Sequence, residues 1–309
     1  MSPVLITHDI STQHLVPAGH PECPERYDVI IAALDGLNQD WARVDAPVAE
    51  RALLELVHDP VFIDSIFSAA SDAEDPVPFD PDTWASKYGL ECALRAVGGA
   101  CLGVDLVMQK AADVAFSLMR PPGHHAEPDR AMGFCLFSSA AIAAFHAKTK
   151  WGLDRVAVLD FDVHHGNGTQ ACFWDQPGMV YASSHQMPLF PGTGARDETG
   201  GYDNVFNLPF AAGASGSEIV KGWRRTLLPA VEAAAPQLII ISAGFDAHRL
   251  DPLGSLGMTT EDFGTLTTDL LHMARNSANG CPVISLLEGG YNLSVLGDSV
   301  LSHLNALAA

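Results

Sequence analysis

The sequence is poor in positive charge: 17 Lys and Arg stand against 37 Asp and Glu, a formal net charge of -20. Binding a phosphate backbone depends on Lys and Arg displacing counterions, so nucleic acid is excluded as an expected partner. The same balance attracts cationic ligands, besides keeping the chain in solution. Cysteine is sparse, and the residues at 23, 92, 101, 135, 172 and 281 show no CxxC spacing. That argues against a sulfur-only zinc site and leaves buried reduced thiols as the expectation. No apolar run approaches a membrane span, and the opening MSPVLITHDI has no basic region followed by an apolar one. Neither a membrane segment nor a secretory leader is therefore expected, and the expected location is cytoplasmic. No linker, repeat or low-complexity tract interrupts residues 1–309, and 48% hydrophobic with 17% charged residues describes one compact domain.

What is present centres on Val158 to Gly168, VLDFDVHHGNG, an apolar strand that ends in carboxylates, imidazoles and glycines. Similar runs recur: VLIT (Val4 to Thr7), Val114 to Met119, Met179 to Ser184, Val205 to Leu208, Gln237 to Ser242 and Pro282 to Leu287 all read as strands. Helices are expected over Tyr27 to Leu37, Ala49 to Val57, Gly89 to Lys110, from Ser138 and Ser139 to Lys148, Thr169 to Trp174 and Glu218 to Ala235. Gly98 and Gly99 inside the third of these imply close packing rather than chemistry. Asp72 to Asp82 reads as a loop, and the Gly-rich Leu189 to Asn204 lacks the Lys-Ser/Thr ending of a phosphate loop. Alternating strands and helices, with polar residues gathered at strand ends, give a single parallel-sheet α/β domain.

Those strand ends carry chemistry. In extended backbone Asp162 and His164 project from one face and can share a metal, with Asp160 one step deeper. Together with Asp246, in AGFDAHRLDPLG, they form a nitrogen-and-oxygen set that leaves coordination positions open, as a catalytic metal requires. Zinc is the natural occupant, and iron(II), cobalt or manganese would also suit such ligands. His124 and His125, in RPPGHHAEPDRAMGFC, are available as general base and acid, each needing a partner on its far nitrogen. Tyr291, in LLEGGYNL, can donate to a developing oxyanion.

RPPGHHAEPDRAMGFC, LDFDVHHGNGTQ, SAGFDAHRLDPLG and LEGGYN, in order from about His20 to Asn292, resemble the metal-dependent histone deacetylase and acetylpolyamine amidohydrolase family, and HPECPERY resembles its class II branch. The resemblance implies the arginase-deacetylase fold, with a central eight-stranded parallel sheet flanked by helices, and hydrolysis of an N-acetyl amide to acetate and a free amine. It implies zinc on Asp162, His164 and Asp246, with His125 as main base and acid and His124, buttressed by Asp160, as its companion. Asn167 faces His125 where class I relatives have an aspartate, which should leave His125 less basic. Tyr291 becomes the transition-state donor. Gly133, Phe134 and Phe190 are implied to line an apolar tunnel with Arg26 at its floor. A potassium ion is implied on Asp160, Asp162, Ser183 and backbone carbonyls including that of His164. The expected substrate is acetyl-lysine in a protein or peptide. Polyamine-selective relatives place a glutamate at the tunnel mouth where this chain has Leu253, although the acidic loop at Asp72 to Asp82 could receive a cation. An arginase-like two-manganese enzyme lacks its further aspartates here, and a silent acyl-lysine-binding module is the alternative outside enzymes.

Overall fold

The computed structural model describes residues 3–37, 41–277 and 280–309. Among these described residues ten strands form, in chain order β1 (Val4–Thr7), β2 (Arg43–Asp45), β3 (Val77–Pro78), β4 (Trp84–Ala85), β5 (Val114–Ser117), β6 (Val156–Asp160), β7 (Met179–Gln186), β8 (Val205–Phe210), β9 (Leu238–Ala243) and β10 (Val283–Leu287). Eight of them pair in parallel in the order β2-β1-β5-β10-β9-β6-β7-β8, and β3 and β4 make a separate antiparallel hairpin. The central strands β5, β6, β9 and β10 are buried at every residue, because helices cover both faces, which is why they read as unbroken apolar runs. Alternate residues serve opposite layers. Ala157, Leu159, Ile239 and Ile241 pack with Phe263, Leu296 and Val300, while Val156, Val158, Leu238 and Ile240 pack with Ala100, Val104 and Ala144.

The helix Lys87–Met108 lies close to its neighbours at the expected glycines: a Cβ on Gly98 would stand 1.9 Å from the Pro47 carbonyl oxygen. Other expectations need correction. The helix expected over Ala49 to Val57 is a single turn, Arg51–Leu54. The run over Glu218 to Ala235 begins at Gly216 and is divided by a π-helical turn at Trp223–Leu227. The Asp72 to Asp82 loop contains β3. Edge strand β2 and the helices Pro60–Ala70, Thr260–Asn276 and Leu293–Ala308 were not among the expected elements. The six cysteines are free thiols, five of them buried and Cys23 partly so.

His303 crosses from the last helix into the core, with Nδ1 2.6 Å from Thr267 Oγ1 and Nε2 2.8 Å from Ser285 Oγ. Burial pushes its pKa down to about 3. A histidine depressed from 6.5 contributes full stability above pH 6.5 and loses it as pH falls toward the folded value, because the unfolded chain then binds the extra proton. The stability advantage of wild type over His303→Gln is therefore expected to shrink by about 2 kcal/mol between pH 6.5 and pH 5. Urea unfolding of both proteins at these pH values checks it; a constant difference would contradict a neutral buried His303.

Candidate active site

Sheet order decides which strand ends meet. The chain adds β5 beside β1, and later β7 and β8 beside β6, leaving a gap that β9 and β10 fill. The carboxyl ends of β5, β10, β9, β6 and β7 thus stand in a row at the reversal of strand order, where open α/β sheets form their crevice. His124 and His125 follow β5, Tyr291 follows β10, Asp246 follows β9, and Asp162 with His164 follows β6.

Asp162 and His164 meet for a different reason than strand alternation. β6 ends at Asp160, and the chain bends beyond it. Asp160 Oδ1 accepts from the Asp162 amide at 3.1 Å and Asp162 Oδ1 from the His164 amide at 2.9 Å, so successive side-chain turns aim the residues inward. Val163 N donates to Asp246 Oδ1 at 2.8 Å, tying the β9 aspartate to the same bend. His164 Nδ1 lies 3.2 Å from Asp162 Oδ1 and 3.1 Å from Asp246 Oδ2. The donor atoms of the buried triad all fall within 4.8 Å of one another. The His–carboxylate separations match the roughly 3.3 Å edge of a tetrahedron built on bonds of about 2.0–2.1 Å, so these residues fit a zinc-sized ion. The opposite side is held clear: a Cβ on Gly289 would stand 2.2 Å from Asp246 Oδ2 and 2.5 Å from Asp162 Oδ2.

The electrostatics favour a cation between these carboxylates. Burial would depress His164, but Asp162 and Asp246 raise it to about 10. Burial and Asp162 push Asp246 up to about 7, while Asp162, although buried, is kept ionised below the ordinary carboxylate range by His124 and His164.

The tandem histidines are 4.0 Å apart, centroid to centroid, and have different partners. His124 Nδ1 donates to Asp160 Oδ2 at 3.0 Å; burial opposes its charge, but Asp162 and Asp160 carry it well above the ordinary histidine value. His125 Nδ1 lies 2.8 Å from Asn167 Oδ1, and Asn167 Nδ2 donates to Glu127 Oε1 at 2.7 Å. Because a carboxylate only accepts, Glu127 fixes the amide orientation, puts the His125 proton on Nδ1 and leaves Nε2 with its lone pair. Burial, with His124 and His164 nearby, holds His125 well below the ordinary value. The surroundings thus favour charge on His124 and disfavour it on His125.

A cleft of about 240 Å³ opens onto this set, lined by Asp82, His125, Gly133, Phe134, His164, Leu189, Phe190, Leu253 and Tyr291. Phe190 stands 5.1 Å from the His125 ring and Phe134 5.6 Å from the Tyr291 ring. Arg26 does not line the cleft. Fully buried, it lies with its guanidinium carbon 4.9 Å from the Tyr291 ring centre and donates to the carbonyls of Glu288 and Gly290, both at 2.6 Å. Ser183 pairs with Asp160 across β6 and β7.

Several residues of the site escaped sequence reasoning. Glu288 is buried, and its Oε2 accepts from the amides of Gly123 at 2.7 Å and His124 at 3.2 Å. Glu22 sits between Arg26 and Arg120, at 2.9 Å from the former. Asp251 accepts from Leu253, Tyr291 and Asn292. Only its position inside the quoted motif pointed to Glu288, and a buried charge with distant backbone partners has no periodic signature.

The family model described as "Histone deacetylase domain" matches residues 20–307. The chain belongs to the histone deacetylase family. As a member it is 38% identical over 286 residues to the "Histone deacetylase-like amidohydrolase" of Pseudomonas aeruginosa, covering 89% of this chain and 73% of that one. It is 35% identical over 333 residues to human "Polyamine deacetylase HDAC10", covering 99% of this chain and 48% of the relative. A solved structure titled "Crystal Structure of HDA15 HD domain" superposes with a TM-score of 0.91 at 32% identity, over 100% of this chain and 89% of that one. The expected fold, an eight-stranded all-parallel sheet between helices, is thereby shown, and membership supports deacetylase activity. Among the described residues no helix is long and apolar enough to cross a membrane.

Proposed function

We propose that the protein is a zinc-dependent deacetylase that removes an acyl group, acetyl in the simplest case, from the side-chain amine of lysine in a peptide or protein. The observation that carries this reading is one cleft lined by His125, His164 and Tyr291 beneath apolar walls, with Asp162 and Asp246 buried within 4.8 Å of the His164 donor atom and Nδ1 of His125 engaged by Asn167. The metal, when bound by the triad, supplies Lewis-acid polarisation of the amide carbonyl and acidifies a water.

The chain's own residues do the rest. Phe134, Phe190, Leu189 and Leu253 sheathe an aliphatic stem and exclude solvent. His125 Nε2 takes the proton of the attacking water and returns it to the amide nitrogen as the C–N bond breaks, while Asn167 steadies Nδ1 and the lowered basicity of His125 keeps it unprotonated beforehand. The imidazolium of His124, held by Asp160, stabilises the negative charge that develops. Tyr291 donates its hydroxyl hydrogen to the former carbonyl oxygen. The products are a carboxylic acid and a free amine.

Potassium belongs to the same proposal. His185 Nε2 faces the Gly194 carbonyl at 2.9 Å and must donate there, so its Nδ1 accepts from Ser183 Oγ at 2.9 Å. The Ser183 oxygen then keeps lone pairs for a cation shared with Asp160, Asp162 and the His164 carbonyl.

A second reading, hydrolysis of an acylated polyamine, is favoured by Asp82, the carboxylate in the cleft lining, and by similarity to a relative named polyamine deacetylase. Acetate release from an acetyl-lysine peptide and from N-acetylputrescine, with zinc-loaded and chelator-stripped protein, separates the readings. Metal-dependent turnover with at least about tenfold higher kcat/KM for the peptide is expected, since even one methylene-sized contact in an apolar pocket is worth about 1–3 kcal/mol. A preference for the amine would give the weight to Asp82 over Leu253; no turnover of either would overturn both.

A further inference from the structure

We infer that Asp251 is a positioning residue that sets the Tyr291 hydroxyl donor and the Leu253 wall as one rigid unit. The inference rests on the deacetylase reading for its kinetic consequences alone. Asp251 lies in the loop after β9 and is 7% exposed. Its Oδ2 accepts from the backbone amides of Tyr291 at 2.7 Å and Asn292 at 3.2 Å, in the loop after β10. Its Oδ1 accepts from the amide of Leu253 at 2.9 Å. In return, the Asn292 side chain donates from Nδ2 to the Leu250 carbonyl at 2.6 Å, so the loops are stitched in both directions. Leu253 and Tyr291 both line the cleft, whereas Asp251 is not among the lining residues. One carboxylate therefore holds the residue that shapes the wall and the residue that answers the oxyanion, without touching the substrate.

The carboxylate is needed because both its oxygens meet N–H donors. An asparagine has one acceptor oxygen and an amide nitrogen that only donates, so Asp251→Asn must break either the Leu253 bond or the Tyr291 and Asn292 bonds. Displacement of a reacting group by about 1 Å costs on the order of 10²-fold in rate.

The test places Asp251→Asn in wild type and in a Tyr291→Phe background, with zinc content, kcat and KM on the acetyl-lysine peptide, and amide hydrogen exchange. Asp251→Asn is expected to lower kcat about 10- to 100-fold in wild type but less than about twofold when the Tyr291 hydroxyl is already gone, because the hydroxyl it positions is then absent, while displacement of the Leu253 wall raises KM in both backgrounds. Zinc content should be unchanged. The amides of Leu253, or of Tyr291 and Asn292, should exchange at least about tenfold faster, with those of β9 and β10 unaffected. Asp251→Glu, which keeps two acceptor oxygens, should recover part of kcat in wild type alone, and it carries the same comparison if the asparagine variant fails to fold. An equal loss of kcat in both backgrounds, or unaltered exchange at these amides, overturns the inference. If wild type hydrolyses no acyl amide, the deacetylase reading fails separately and the exchange result alone decides whether Asp251 holds the two loops.

Discussion

Tyr291→Phe is expected to lower kcat by about 10²- to 10³-fold while leaving the metal bound, the range seen when one oxyanion donor is removed. In the proposed mechanism the hydroxyl acts as a donor. Burial raises its pKa well above the ordinary tyrosine value, with Asp246 adding to the effect against Arg26, so at neutral pH it keeps its hydrogen. The ring is held independently, between Phe134 on its edge and the Arg26 guanidinium on its face, so the phenylalanine retains the same packing. Arg26 is itself braced by Glu22 at 2.9 Å and by the carbonyls of the turn that carries Tyr291. The loss should therefore fall on kcat and not on thermal stability or zinc content. A kcat within threefold of wild type would remove Tyr291 from the chemistry.

Asp246→Ala is expected to act on the metal instead, with zinc content falling toward background and turnover dropping by about 10³-fold or more, because an open catalytic site holds its ion with only three protein ligands. Two further effects reinforce the loss. Asp246 Oδ1 anchors the Val163 amide, so the bend that presents His164 loses a restraint. His164 Nδ1 also loses one of the carboxylates that make its surroundings attractive to a cation. Chelation of wild type should have the same kinetic outcome and be reversed by added zinc, unlike the substitution. Since His164 carries a proton between the carboxylates before metal enters, zinc uptake should release protons and the affinity should fall as pH is lowered. Elemental analysis with titration calorimetry in buffers of different ionisation enthalpy measures both. Full zinc content in Asp246→Ala would sink the triad as the metal site, and the two variants together distinguish loss of the ion from loss of the donor.

The architecture was legible where its cause is local. LIIIS, VAVLD and VISLL are short apolar runs because each strand is buried on both faces, and the polar tips follow because a parallel strand ends at the crevice. Motif residues such as His124, His125, Asp162, His164, Asp246 and Tyr291 could be named from those tips alone. Leu293–Ala308 and Thr260–Asn276 are amphipathic helices that carry no chemistry of their own. The helix expected over Ala49 to Val57 spans only Arg51–Leu54, and helical spacing says nothing of the tertiary contacts that end a helix.

Tertiary structure decided what those residues do to one another. Strand order brings the ends of β5, β10, β9, β6 and β7 side by side although they lie far apart in the chain. The bend after Asp160, held by side-chain acceptors, aims the triad in place of the strand alternation expected there. Arg26, expected at a tunnel floor, is a brace beneath Tyr291, and Glu22, Glu288 and Asp251 bind the Arg120 guanidinium or backbone amides that sequence leaves distant. The physical reason is that apolar periodicity is written along the chain, whereas a buried carboxylate is stabilised by whichever donors the folded backbone brings to it.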